Sequence, residues 1–145
     1  MTTSSHSSES SLSVSFINPT GLYDPRPNAY THVVAAEMPA RLIYIAGQGG
    51  ETADGVLSPD FDNQVYQALR NLRIALNAAD ASLEKVVKLT LLIVDHNQER
   101  LTIVGRQLQE AWGEHPLPAC TLIPVPRLAL DGMLFEIDAT AVVAR

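Results

Sequence analysis

The chain reads as an α+β domain: two amphipathic helices set among six strand-like segments, in the order β, β, β, α, β, α, β, β. Three observations carry this. Between Asp60 and Ala81, Val65, Leu69, Leu72, Leu76 and Ala79 recur at spacings of three and four, the stripe of a core-facing helix. Val86–Val94, V-V-K-L-T-L-L-I-V, is apolar in both alternating sets, the pattern of a strand that is central or covered on both faces. Asp131-Gly132 supplies a turn between the last two strand-like runs. With 145 residues and 46% hydrophobic side chains, the chain suits one domain with a sizeable core.

Taken in order, Met1–Leu12 is serine-rich and poor in large apolar side chains, so a disordered tail is expected, with a single folded domain over 13–145. Ser13–Ile17 alternates as a short strand, and Gly21–Asn28 reads as loop because each of its prolines restricts the residue before it. Tyr30–Ala36 and Arg41–Ala46 are predicted strands, the second ending in a turn at Gly47-Gln48. Ser58 is the expected N-cap of the first helix, with Pro59 at its first position. The second helix is predicted over Gln98–Trp112, with Leu101, Val104, Leu108 and Ala111 on one side and Gly113 as its stop. Ala119–Val125 and Met133–Val143 complete the strands. Right-handed crossovers would place both helices on one face of a single mixed sheet. The second face, expected to carry Val86, Leu92, Val94, Leu122, Leu134 and Val142, then needs a cover, and self-association is the simplest source.

Composition narrows the functional classes. A formal charge of −6 argues against a surface that tracks phosphate backbones, so no nucleic-acid partner is expected. No apolar run is long enough to span a bilayer and the start has no leader-like pattern, so no membrane association and a cytoplasmic location are expected. Cys120 is the single cysteine. The four histidines, His6, His32, His96 and His115, lack the spacing of a zinc site.

Several runs in fixed order resemble a known family: Tyr30 at a strand opening, I-Y-I-A-G-Q (Ile43–Gln48), A-L-N-A-A-D-A-S-L-E-K-V-V-K-L-T (Ala75–Thr90), G-E-H-P-L-P-A (Gly113–Ala119), V-P-R-L (Val125–Leu128) and F-E-I-D-A (Phe135–Ala139). Together they resemble the reactive-intermediate deaminases, called RidA or YjgF-like and historically L-PSP endoribonucleases. The resemblance implies a chorismate-mutase-like mixed sheet with two helices packed on one face, assembled as a homotrimer with small-molecule clefts between subunits. It implies hydrolysis of enamines and imines to a 2-oxo acid and ammonia, without metal or cofactor.

Carried over residue by residue, the resemblance makes Glu136 the carboxylate that positions water, and Tyr30, Gly47 and Gln48 parts of the cleft. Four positions depart from the pattern. The family's substrate-binding arginine is Cys120, its serine before the glycine is Ala46, a small polar residue is Leu122, and the asparagine of the second helix falls at Gly105. A thiol presents neither the planar fork nor the charge with which arginine grips a carboxylate, so typical 2-imino acids are poor candidates. Loss of polarity at Ala46 and Leu122 points to a more apolar cleft.

Three readings follow. One is an enzyme in which Glu136 directs water onto a C=N bond and Tyr30 closes the pocket. A second is a trimer that binds a neutral or aromatic metabolite without turnover. The third, an endoribonuclease, has little support in an acidic chain. Plainer roles stand beside these: Glu136 as an ion-pair partner of Lys88 or Arg127, Cys120 as a small core residue rather than a nucleophile, and Trp112 as helix-end packing. Arg127 and Arg106 are candidate replacement cations, the first more readily structural and the second on a solvated helix face.

Overall fold

The computed structural model describes residues 12–145, so the expected tail over 1–12 falls almost wholly outside the described residues. Two helices and six strands follow in the expected order: β1 Val14–Ile17, β2 Val33–Ala36, β3 Arg41–Gly49, α1 Phe61–Ala78, β4 Val86–Val94, α2 Gln98–Trp112, β5 Ala119–Val125 and β6 Phe135–Val143. Short 3-10 turns occupy Arg26–Asn28 and Leu83–Lys85.

The main sheet has four strands in the order β3-β6-β4-β5. It is mixed: β6 runs antiparallel to both β3 and β4, while β4 and β5 are parallel and joined through α2. The first two strands do not join it. β1 and β2 pair only with each other, and β2 ends before Pro39, whose ring nitrogen cannot donate to a continuous ladder.

Both helices pack on one face. Its core joins Phe61, Val65, Leu69, Leu72 and Leu76 of α1 and Val104, Leu108 and Trp112 of α2 to Leu89, Leu91 and Ile93 of β4 and Phe135 and Ile137 of β6. Three residues expected on the second face, Val86, Leu122 and Leu134, pack against this core instead. A register shift between Val86 and Lys88 turns Val86 inward, and the parallel pairing of β5 sets Leu122 beside the buried Leu91. On the other face lie Lys88, Thr90 and Leu92, beside Thr121, Ile123, Glu136 and Asp138.

Caps decide where the helices begin. Asp60, not Ser58, caps α1, accepting from the Asn63 N–H at 3.1 Å, while the Ser58 hydroxyl accepts from the Asp60 N–H one step earlier. The helix ends before the expected Ala81 because Asp80 turns left-handed (φ 57°) and the Ala81 N–H returns to the Leu76 carbonyl. Asn97 caps α2 at 2.8 Å from the Arg100 N–H, and Gly113 (φ 60°) closes it.

Buried amides bind these elements together. Gln64, fully buried in α1, donates to the carbonyls of Ser58 and Gly132 and accepts from the Leu134 N–H. That last bond diverts an amide from the ladder, so β6 starts at Phe135 rather than at the expected Met133. Asn71 donates to the carbonyls of Gly49 and Glu51, fixing the end of β3.

Candidate functional site

Cys120 and Leu122 project from β5 on the helix-covered side, because their parallel partners are the buried Leu89 and Leu91. Opposite them, α2 presents Leu101, Val104, Gly105 and Leu108, and the space between is a cavity of about 290 Å³. Tyr30 and Asn28 complete its wall. The sequence-predicted Tyr30, Gly105, Cys120 and Leu122 thus meet in one place, with an apolar lining as expected and no charged side chain in the wall.

Tyr30 reaches this wall from a loop, not from a strand opening: β2 begins only at Val33. The reason is local. The 3-10 turn Arg26–Asn28 ends in a left-handed Ala29 (φ 61°), and Thr31 is tied to the entry of β5, its N–H to the Pro118 carbonyl at 3.0 Å and its hydroxyl to the Leu117 carbonyl. Two residues that the sequence reading passed over then fix the ring. The Tyr23 and Tyr30 hydroxyls are hydrogen-bonded, and His32 stacks edge-on against both tyrosines while its Nε2–H donates to the Tyr23 carbonyl at 2.8 Å. The signal was available: three aromatic rings within Tyr23–His32, spaced around two prolines, are more than a loop needs.

Burial pushes the Cys120 thiol up to about 11, with Lys88 pulling weakly the other way. A neutral thiol among leucines is neither an anion nor a cation at neutral pH. It does not replace a guanidinium, and the cavity wall supplies no base to make it a nucleophile.

Glu136 stands elsewhere. Flanked in β6 by the buried Phe135 and Ile137, it points to the opposite face and pairs across the sheet with Gly49 and Leu92. Its carboxylate overlies Gly47. The expected turn there is a bulge inside β3, where Ile45 pairs with Ala139 but Gln48 with Ile137, and the Gln48 amide bonds the Ala46 carbonyl at 3.0 Å across it. A side chain at Gly47 would fall on the Glu136 carboxylate, so glycine is required for the approach. Among the described residues Glu136 has no ion-pair partner: Lys88 donates to the Thr121 hydroxyl at 2.6 Å and Arg127 pairs with Asp131 at 2.9 Å. Arg106 is bound to Asp62 at 2.9 Å on the solvated side of α2.

The predicted residues therefore form two groups. Tyr30, Gly105, Cys120 and Leu122 gather beside β5 on the helix-covered face, while Ala46, Gly47 and Glu136 meet on the other face where β3 pairs with β6; Gln48, paired with the buried Ile137, turns back toward α1. In the order β3-β6-β4-β5 two strands lie between those edges, and a single chain does not bring the groups together.

The family model described as Endoribonuclease L-PSP matches residues 24–143, a span that takes in both groups. The chain belongs to that family. Among its relatives, the RutC family protein YjgH of Escherichia coli (strain K12) is 32% identical over 100 residues, covering 69% of this chain and 74% of that protein. The RutC family protein PH0854 of Pyrococcus horikoshii is 32% identical over 124 residues, covering 81% of this chain and 90% of that protein. Among solved structures, the Rid-family protein of unknown function YyfB from Yersinia pestis superposes with a TM-score of 0.85 at 32% identity, covering 90% of this chain and 98% of that one. The α+β architecture read from the sequence is that of the family. No helix among the described residues is long and apolar enough to cross a membrane, and no cluster of three or more His, Cys, Asp or Glu among them could hold a metal.

Proposed function

We propose that this L-PSP-family chain closes into a homotrimer whose junctions bind a small molecule of low charge, and that Glu136 directs water onto a C=N bond of that molecule. One observation carries the reading: the Cys120 cavity beside β5 and the approach of Glu136 to Gly47 where β6 meets β3 lie toward opposite edges and on opposite faces of the same sheet. Joining them needs the β5 edge of one copy against the β3 edge of the next. Such a head-to-tail contact is not that of a two-fold dimer, and in the ring proposed here its rotation closes after three copies. The junction would set the apolar cavity, closed by Tyr30, opposite a carboxylate that no cation among the described residues neutralises.

The chemistry needs no further group. Glu136 takes a proton from water as its oxygen attacks the imine carbon, the C=N electron pair moves to nitrogen, and the carboxyl passes that proton to the nitrogen. The resulting carbinolamine collapses as Glu136 takes the hydroxyl proton, the C–O bond becomes a carbonyl, and the C–N bond breaks, the nitrogen leaving as ammonia with the proton the carboxyl returns. An apolar wall without a cation favours compounds whose carbon skeleton is hydrophobic.

Ammonia release from freshly generated imines with acidic, aliphatic and aromatic side chains tests this. The expected result is turnover of apolar substrates, about 10²- to 10⁴-fold slower in Glu136→Gln, and wider acceptance of 2-imino acids in Cys120→Arg. No release above the spontaneous rate across all three classes would sink the catalytic reading.

The uncharged wall and neutral thiol also favour a second reading, a trimer that binds without turnover. Thermal stabilisation by 2-oxo acids that disappears in Glu136→Gln would count against it. A nuclease role gains nothing from a chain of charge −6 with an apolar cavity.

A further inference from the structure

Gly105 sits in the interior of α2, where glycine is a poor helix former. The usual reasons for keeping one are missing. Its φ is not positive, and a Cβ built on it meets no heavy atom within 4 Å. Neither backbone conformation nor crowding requires glycine there, so open space is what the residue provides.

That space adjoins two cavities. Gly105, Asn28 and Leu101 belong both to the wall of the apolar cavity and to the wall of a second cavity of about 280 Å³ that continues along the outside of α2. The two chambers differ in chemistry. The inner is walled by leucines, Val104 and Cys120, whereas the outer carries Gln98, Thr102, Arg106 and Gln109. Arg106 gives only its Nη2 to Asp62, so its Nε and Nη1 donors have no acceptor among the described residues.

We infer that Gly105 is a doorway joining the two chambers, and that the ligand is an elongated carboxylate whose apolar end fills the cavity beside Cys120 while its anionic end lies against Arg106. The inference rests on the reading of the inner cavity as a ligand site. It places the anion on the outer side of α2 rather than on β5, where Cys120 offers no charge.

Calorimetric titration of the full chain with phenylacetate, phenylbutyrate, phenylhexanoate and neutral phenylhexanol tests it. Affinity should rise with the length of the acid, and phenylhexanoate should bind at least about tenfold more tightly than the alcohol of equal length. Gly105→Leu should weaken phenylhexanoate at least about tenfold more than it weakens phenylacetate, since the side chain stands where the two chambers meet. Its thermal midpoint should equal or exceed that of the parent, showing the fold intact. Arg106→Gln should abolish the preference for acid over alcohol. Asp62→Asn, which breaks the same ion pair but keeps the cation, should preserve it. Length-independent binding, or a Gly105→Leu effect equal on all probes, overturns the doorway and leaves the cavity as a site. Failure of every probe to bind overturns both. A changed assembly mass in Gly105→Leu would assign the glycine to contact between copies and overturn the doorway alone.

Discussion

Cys120 keeps its proton well past the range of a free thiol because charge is costly between β5 and α2. The unfolded chain loses that proton near 9.0 and the folded one near about 11. Between those values the native state binds more protons, so raising the pH favours unfolding. Urea midpoints should therefore fall for the parent as pH climbs from about 9 to about 11, by more than they fall for Cys120→Ala. An equal decline in both would show that the thiol does not ionise late. Gly47 makes a different case. In Gly47→Ala the added methyl displaces the Glu136 carboxylate, which is the free end of a flexible side chain. Ammonia release should drop at least about tenfold, while the thermal midpoint moves little. Of these residues the sequence exposed Cys120, Gly47 and Glu136 plainly, because each departs from or preserves a motif. It did not expose Tyr23 and His32, whose bearing on Tyr30 depends on a loop folding back on itself.

The joints between helices and sheet rest on amides as much as on leucines. Gln64 interrupts the apolar stripe of α1 and satisfies backbone groups of Ser58, Gly132 and Leu134 that would otherwise be buried without partners. Gln64→Leu fills similar space but orphans those groups, and should cost roughly 2–4 kcal/mol, read as a lower urea midpoint at unchanged slope. A polar residue inside an otherwise apolar stripe was the available sign. Sequence periodicity placed β4, α2 and β5 at their observed limits, because their patterns are long and bounded by Asn97, Gly113 and proline. It misplaced the start of α1, where Ser58 and Asp60 both suit a cap and only the chain direction chooses. It also assigned Val86, Leu122 and Leu134 to the wrong face. Where both alternating sets are apolar, period says nothing about sides, and register decides.

The uncovered face of the sheet presents Leu42, Tyr44 and Ile123, with Tyr44 75% exposed. Apolar and aromatic groups spread across a sheet without a covering layer suit contact with another copy. In solution the particle should have three times the 15.7 kDa mass of the chain, and Ile123→Asp should reduce it to one chain with the circular dichroism of the folded parent. A parent that already runs as one chain at micromolar concentration would refute the ring. The expectation of three copies comes from family resemblance alone, since a sheet with one bare face needs a cover without specifying how many subunits provide it. The placement of Tyr30 and Glu136 at opposite rims has a genetic consequence. Two alleles, one bearing Tyr30→Ala and the other Glu136→Gln, would each be defective alone, yet a cell expressing both would assemble hybrids in which some seams carry neither lesion. Inheritance of this trait would then follow the seams rather than the polypeptides.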